Sequence, residues 1–431
     1  EWLDVYAKFY QMEISDLTIT VLKGDIETVE DLIDAIGANV TLDSEAAITA
    51  AKSAYDALSD EDKALVDADK VDALTAAIIK LNQLKHADLM ANLDTIYKTT
   101  GDFMATLGTP TVNSTGGEWM VIGLARSGRT VPAGYYDNVV EYVKAKADAN
   151  ERLHPAKVTD NARVILALTA IGKDVTNVGG HNLLKGLDNM DYVQTQDING
   201  PIFTLIALDS HNYPTMGDVT REKLIQVILD AQLPDGGWNL SGENADPDMT
   251  AMAIQALAPY YKTNETVKAA VDKALEALSA LQRTDGGFGS WGTVNSESCA
   301  QVIVALTALG IDPTADSRFV KNGHTVLDAL AGFYVTGGGF RHTAGGERND
   351  MATEQGYYAL AAYYRFLNGQ TRLYDMSDVA IQTGGTSGGD NSGNGTNNGG
   401  TPATGDTGVL VWVIALPAAL LAAAFILKRK E

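Results

Sequence analysis

An Ala-Leu pair set inside an apolar helical run returns along this chain at Ala167-Leu168, Ala207-Leu208, Ala256-Leu257, Ala305-Leu306 and Ala359-Leu360, with Gly123-Leu124 as a looser first copy. Successive leucines lie 44, 40, 49, 49 and 54 residues apart. Each step therefore has room for a second helix, and repeats of this length stack into one continuous array. The second helices are expected at 87–107, 135–150, 181–189, 220–233, 265–282 and 318–333. The residue before each marker leucine is Gly or Ala, which lets helices approach closely, and that face is expected to pack outward. The marker helices carry few charges and the intervening ones many, so the first set is inner and the second outer. Six parallel inner helices wrapped by six outer ones close into a ring over residues 86–378.

Two loops that lead into marker helices share the form Gln-x-x-x-Gly-Gly-aromatic, Gln232 to Trp238 and Gln282 to Phe288, with Tyr334 to Phe340 as a looser version. Glycines permit the tight turn, and the ring wedges between repeats. Together with the six helix pairs, these loops resemble the prenyltransferase and squalene-cyclase repeat over most of residues 86–378. The resemblance implies an all-α fold, an α6/α6 toroid. It implies the chemistry of that group less well. Asp246-Pro247-Asp248-Met249-Thr250-Ala251 resembles the Asp-x-Asp-Asp-Thr-Ala acid motif of class II terpene cyclases, but Met249 replaces the carboxyl that would help raise the proton affinity of Asp248. Glu297-Ser298-Cys299 resembles half of the zinc site of protein prenyltransferases. Thr353 stands where that family's His ligand is expected, and Cys299 reads as a small core residue. His181 and His342 read as loop residues without a ligand-spaced partner. The reactive Cys-Gly-Glu-Gln of complement-type thioester domains is nowhere in the chain. A glycosidase reading would place Asp248, Glu297 and Glu354 in one cleft, which the glycine-aromatic loops do not favour. The cobalamin carriers of the transcobalamin type are the best-matched relatives, with helix starts like Asp248-Met249-Thr250-Ala251; a tether follows here where those carriers have a β-rich domain.

Parallel inner helices put their N-termini at one rim. Glu118, Asp160, Asp248, Glu297 and Glu354 fall at those starts, and Trp238, Asp246, Phe288, Trp291 and Phe340 lie in the loops before them. Five positions ahead of the marker leucines are Trp119, Arg163, Phe203, Met252, Gln301 and Gln355; two ahead are Ile122, Leu166, Ile206, Gln255, Val304 and Tyr358. Helical spacing turns both sets toward the lumen. Unpaired polar groups there would be costly, so Arg163, Gln255, Gln301 and Gln355 are expected to face water or a ligand.

Three short amphipathic helices over 27–85, marked by Val29, Leu32 and Ile36, by Ile48, Ala51, Tyr55 and Leu58, and by Val71, Leu74, Ile78 and Leu81, resemble the three-helix spacers of Gram-positive surface proteins. Residues 1–26, with an alternating Leu17, Ile19, Val21 run, read as the end of an upstream domain, and an export signal is expected before them. Residues 379–400, almost wholly Gly, Asn, Ser, Thr and Asp beyond Gln382, read as a flexible linker. Then come Pro402-Ala403-Thr404-Gly405, an apolar run over 409–427 long enough to span a bilayer as a transmembrane helix, and Lys428-Arg429-Lys430. That order resembles the cell-wall sorting signals read by sortases through Pro402, Thr404 and Gly405, although Thr401 stands where their commonest form has Leu. It implies sortase and peptidoglycan as partners, an extracellular location on the cell surface, and membrane contact only through 409–427. A net charge of −23 argues against a nucleic-acid partner, and the lone Cys299 excludes an internal disulfide. No cofactor is expected. The expected function is non-catalytic capture of a bulky small molecule, corrinoid-like or isoprenoid-like, or of a glycan or peptide end. The alternatives are terpenoid cyclase, prenyltransferase-like or glycan-active chemistry on the same toroid, and an adhesin or spacer that docks a partner on its outer wall.

Overall fold

The structure, a computed structural model, describes residues 24–382. The upstream segment, most of the linker and the sorting signal, with Pro402, Thr404, Gly405 and the run 409–427, lie outside the described residues. Among the described residues no helix is long and apolar enough to cross a membrane. The fold is mainly helical and divides into two compact units, with the boundary between Asp88 and Leu89.

The first unit holds α1 (Asp25–Asp34), α2 (Glu45–Ala57), a one-turn α3 (Asp60–Lys63) and the opening turns of α4 (Ala68–Met104). Val29, Ile33, Ala51, Tyr55, Leu58, Val66 and Leu74 form its core, and Ser59 caps α3 by accepting from the Asp62 N–H at 3.1 Å. α4 runs unbroken through residue 86, where a new element is expected. Its sequence from Leu81 to Ala91 has neither Gly nor Pro to stop it.

In the second unit the inner helices are α5 (Trp119–Arg126), α7 (Val158–Ala170), α9 (Asn199–Asp209), α11 (Pro247–Leu257), α13 (Ser296–Leu309) and α15 (Asp350–Leu367). Each packs on the next and α15 packs on α5, so the ring closes as an α/α toroid. The later turns of α4, with α6 (Tyr135–Lys146), α10 (Arg221–Asp230), α12 (Glu265–Leu281) and α14 (Val326–Gly332), supply the outer layer. Two expected outer helices are replaced. Residues 181–189 form a 3₁₀ turn, Leu183–Leu187, followed by the four-residue α8 (Met190–Val193). Gly186 sits so close to α7 that a Cβ there would lie 2.2 Å from Asn161 Nδ2, and buried Leu183, Leu184 and Leu187 hold the turn in place of a helix. The stretch 318–333 is interrupted at Asn322 and Gly323, both at positive φ, which leaves a 3₁₀ turn, Ser317–Phe319, and the short α14 in place of one helix. The small residue before the first marker leucine also packs otherwise than expected. A Cβ on Gly123 would meet Tyr357 and Tyr358 of α15 at 3.1 and 3.5 Å, so Gly123 serves the seam between inner helices rather than the outer layer.

The glycine-aromatic loops share one turn in all three copies: the N–H groups of Leu233, Arg283 and Val335 donate to Gly237, Gly287 and Gly339 at 2.9, 3.0 and 2.9 Å. In the two stricter copies the Gln amide closes that turn and ties it to the next outer segment. Gln232 Nε2 donates to the carbonyls of Gly236 and Ala270, and Gln282 Nε2 to those of Gly286 and Phe319. Two antiparallel hairpins follow the turns, β1 (Gly289–Ser290) with β2 (Thr293–Val294), and β3 (Phe340–Arg341) with β4 (Arg348–Asn349).

After α15 the chain turns back across the other end of the ring. Arg126 at the end of α5 donates to the carbonyls of Arg372, Leu373 and Asp375, to Thr371 Oγ1, and to Asp378 at 2.8 Å. Arg365 binds the second oxygen of Asp378 at 2.6 Å. Residues 379–382, which composition assigns to the linker, continue this strap: His211 donates to the Val379 carbonyl and Gln382 N–H to Gly172.

Candidate functional site

Counting back from the marker leucine aligns the starts of α11, α13 and α15 and shows what each position does. Eleven residues back stand Asp246, Asn295 and Asn349, which cap the helices by accepting from the N–H groups of Asp248 and Met249, of Ser298, and of Ala352. Nine back stand Asp248, Glu297 and Met351; with capping done by the residues before them, their side chains are free to line a cavity. Seven back stand Thr250, Cys299 and Thr353. The hydroxyls of Thr250 and Thr353 accept from the N–H groups of Trp238 and Phe340 at 2.9 and 3.0 Å, and Cys299 faces the Phe288 backbone. These contacts seat the loop aromatics: Trp238, Phe288 and Phe340 are fully buried, and each such burial stabilises the ring by roughly 2–3 kcal/mol.

The cavity has a volume of about 380 Å³. Five of the six residues five back from the marker reach it, namely Trp119, Phe203, Met252, Gln301 and Gln355, as does Tyr358. Gln255 instead borders a small void of about 30 Å³ with Ile206 and Val304. Trp119 lies 5.8 Å from Phe203 and 5.9 Å from Tyr358, ring centre to ring centre, forming an aromatic wall. Trp291 projects from the β1–β2 turn at φ 53° and is 85% exposed. An indole held in left-handed backbone with no core packing to offset the strain is a feature to be explained by function rather than stability.

Gln301 and Gln355 face the cavity, and the glutamines also bond one another. Gln255 Nε2 donates to Gln301 Oε1 at 3.0 Å, Gln301 Nε2 to Gln355 Oε1 at 3.0 Å and to the Tyr358 hydroxyl at 2.6 Å, and that hydroxyl to Gln355 Oε1 at 3.2 Å. They form a hydrogen-bonded chain across α11, α13 and α15. Arg163 leaves the lumen: it is held by Asp160 at 3.1 Å and Glu118 at 3.3 Å. Glu118, fully buried beside Tyr135, is pushed up to about 7, by burial first, with Arg163 opposing. Glu354 accepts from the Gly116 N–H at 2.7 Å and is pushed up to about 8 by burial. Neither lines the cavity, nor does Asp160, and Trp238, Phe288 and Phe340 are wall packing rather than contact surface. Asp246 caps α11 and accepts from Ser290.

Asp248 and Glu297 remain as the cavity carboxylates. One Asp248 oxygen, Oδ1, is buried without a hydrogen-bond partner, and burial pushes the group up to about 6, opposed by the Ser298 hydroxyl and reinforced by Asp246 and Glu297. Glu297 accepts from Ser296 Oγ at 2.9 Å and pairs with His342 Nδ1 at 2.8 Å. His342 therefore has a partner, as does His181, which meets Glu151. Ser290, Thr293, Asn295, His342, Met351 and Tyr374 complete the lining. Nothing in the repeat pattern marks the hairpin residues or the strap's Tyr374.

A zinc ion of the prenyltransferase kind does not fit these residues. Cys299 is fully buried and its thiol is pushed up to about 12, by burial first, while Thr353 is engaged with Phe340. Among the described residues no group of three His, Cys, Asp or Glu is disposed to hold a metal.

Residues 181–348 match the family model of the prenyltransferase alpha-alpha toroid domain. Among solved structures, ent-copalyl diphosphate synthase from Streptomyces platensis is similar at 18% identity, with 80% of this chain and 86% of that chain covered and a TM-score of 0.39. Among curated proteins none matches the chain.

Proposed function

We propose that this chain, whose residues 181–348 match a prenyltransferase-type alpha-alpha toroid domain, is a surface receptor. Its toroid mouth takes up a bulky, partly apolar small molecule and holds it without transforming it. The sorting-signal pattern supports display outside a Gram-positive-type cell, with sortase joining the chain to peptidoglycan at Thr404. The observation that carries the receptor reading is the cavity of about 380 Å³, whose size and mixture of aromatic walls with a few polar groups are those of a ligand pocket. A thermal-shift screen of corrinoids, isoprenoid alcohols and cell-wall fragments is expected to yield a binder whose effect disappears with Trp119→Ala. No binder, or a binder indifferent to both Trp119→Ala and Gln301→Ala, would move the function to the outer wall. For anchoring, Thr404→Ala is expected to release the protein from the wall fraction; equal retention would refute a covalent attachment.

One observation favours a second reading, acid catalysis. Asp248 is a carboxyl beside aromatic walls, with one oxygen unbonded, poised to keep its proton close to neutral pH. Against it, Met249 is buried and offers no second carboxyl. Turnover of an isoprenoid by the full chain, abolished by Asp248→Asn, would establish catalysis in place of capture.

A further inference from the structure

Charge at the mouth is one-sided. Asp248 and Glu297 line the cavity, and among the described residues no Lys or Arg does. Elsewhere in the ring most shielded carboxylates meet guanidinium groups: Asp378 meets Arg126 and Arg365, Glu118 and Asp160 meet Arg163, and Asp209 meets Arg221, while Glu354, away from the cavity, accepts from the Gly116 N–H instead. At the mouth only the half-exposed His342 approaches, and it binds Glu297. Asp246 is turned to its capping bonds and Ser290, and among the described residues Asp248 Oδ1 accepts no hydrogen bond, with only the Ser298 hydroxyl near the carboxyl. A diphosphate or other polyanion would meet two carboxylates and no countercharge, an arrangement that rejects it. The surrounding rings favour the opposite sign. Trp119, Phe203 and Tyr358 form the wall, with Trp291 at the rim and Tyr374 from the strap, and the face of an aromatic ring attracts cations.

We infer that the toroid mouth binds an organic cation, an ammonium head on an apolar body, with the head at Asp248 and Glu297 and the body against Trp119, Phe203 and Tyr358. This deepens the receptor reading and rests on it.

Three probes of one shape separate charge from shape: phenylbutylamine, phenylbutanol and phenylbutyrate, titrated calorimetrically into the full chain at low salt and about pH 8, where the amine is protonated and Asp248 is ionised. The amine is expected to bind at least about tenfold more tightly than the alcohol, and the acid not measurably. Asp248→Asn, close in size and checked for folding by its thermal transition, brings the amine down to the alcohol's affinity and leaves the alcohol unchanged; added salt weakens the amine alone. Equal binding of amine and alcohol, or amine binding indifferent to both Asp248→Asn and Glu297→Gln, overturns the inference. Should the alcohol bind equally well and be lost with Trp119→Ala, the cation falls while the receptor stands. If none of the three probes binds, and the broader screen yields no binder either, both fall.

Discussion

Charged side chains gather at both ends of the inner helices, with opposite outcomes. At the C-terminal end Arg126 and Arg365 grip the two oxygens of Asp378 and make most of their other hydrogen bonds to the strap. At the N-terminal end Asp248 and Glu297 face a cavity with His342 as their one basic neighbour among the described residues, and Asp248 Oδ1 accepts no hydrogen bond from any of them. A buried charge with complete pairing is part of the architecture. A shielded carboxylate left incomplete beside a cavity marks a site. The same ring therefore separates holding itself together from holding something else.

The largest effect should come from the closed end. Arg126→Ala removes five hydrogen bonds and orphans the buried strap carbonyls, and a loss of about 3–5 kcal/mol is expected in denaturant unfolding. A smaller loss, under about 1 kcal/mol, would show that the strap is incidental.

At the open end removal of charge should act in the opposite direction. Asp248 is raised by burial, so its proton stabilises the fold and that contribution is lost as pH rises from the unfolded value through about 6. Glu118 and Glu354, at about 7 and about 8, extend the same decline. For Asp378 burial works upward, but Arg126 and Arg365 hold its carboxyl below the usual range, so its contribution is present near neutrality and lost as pH falls. Unfolding measured between about pH 5 and pH 9 should thus show stability falling toward the alkaline side, with Asp248→Asn gaining roughly 1–3 kcal/mol near pH 7 and flattening part of that decline. A variant less stable than the parent at neutral pH would mean that Asp248 is satisfied after all.

Between the two ends, Tyr358→Phe leaves the glutamine chain without its hydroxyl link and should cost about 1 kcal/mol. At the rim, Trp291→Ala should change stability by less than about 0.5 kcal/mol, because the ring is exposed, while weakening any ligand that the mouth binds. A large drop in melting temperature instead would make the indole structural.

Much of the ring was legible because a repeat states each position several times. The Ala-Leu phase locates all six inner helices, and the five-back position finds the cavity residues Trp119, Phe203, Met252, Gln301 and Gln355. It fails at Arg163 because Glu118 and Asp160 offer closer partners than the lumen does. The outer layer was less legible: Gly186 and the pair Asn322-Gly323 break expected helices at places where burial of Leu183 or Phe319 in a short 3₁₀ turn suffices in place of a full α-helix. The mouth was only half legible, since Asp248 and Glu297 look like ordinary helix caps until Asp246 and Asn295 are seen to fill that role. The strap was not legible, because Leu373, Tyr374 and Met376 form no period.

The strap also gives the molecule a defined response to tension. A pull on the chain beyond Gln382 would reach first the bonds of Gln382 to Gly172 and Lys173 and then that between Val379 and His211. These contacts come in series. The next in line is Asp378, gripped from α5 by Arg126 and from α15 by Arg365, the two helices whose contact closes the ring. Load carried by the tail would therefore reach the closing seam through a carboxylate held on both sides.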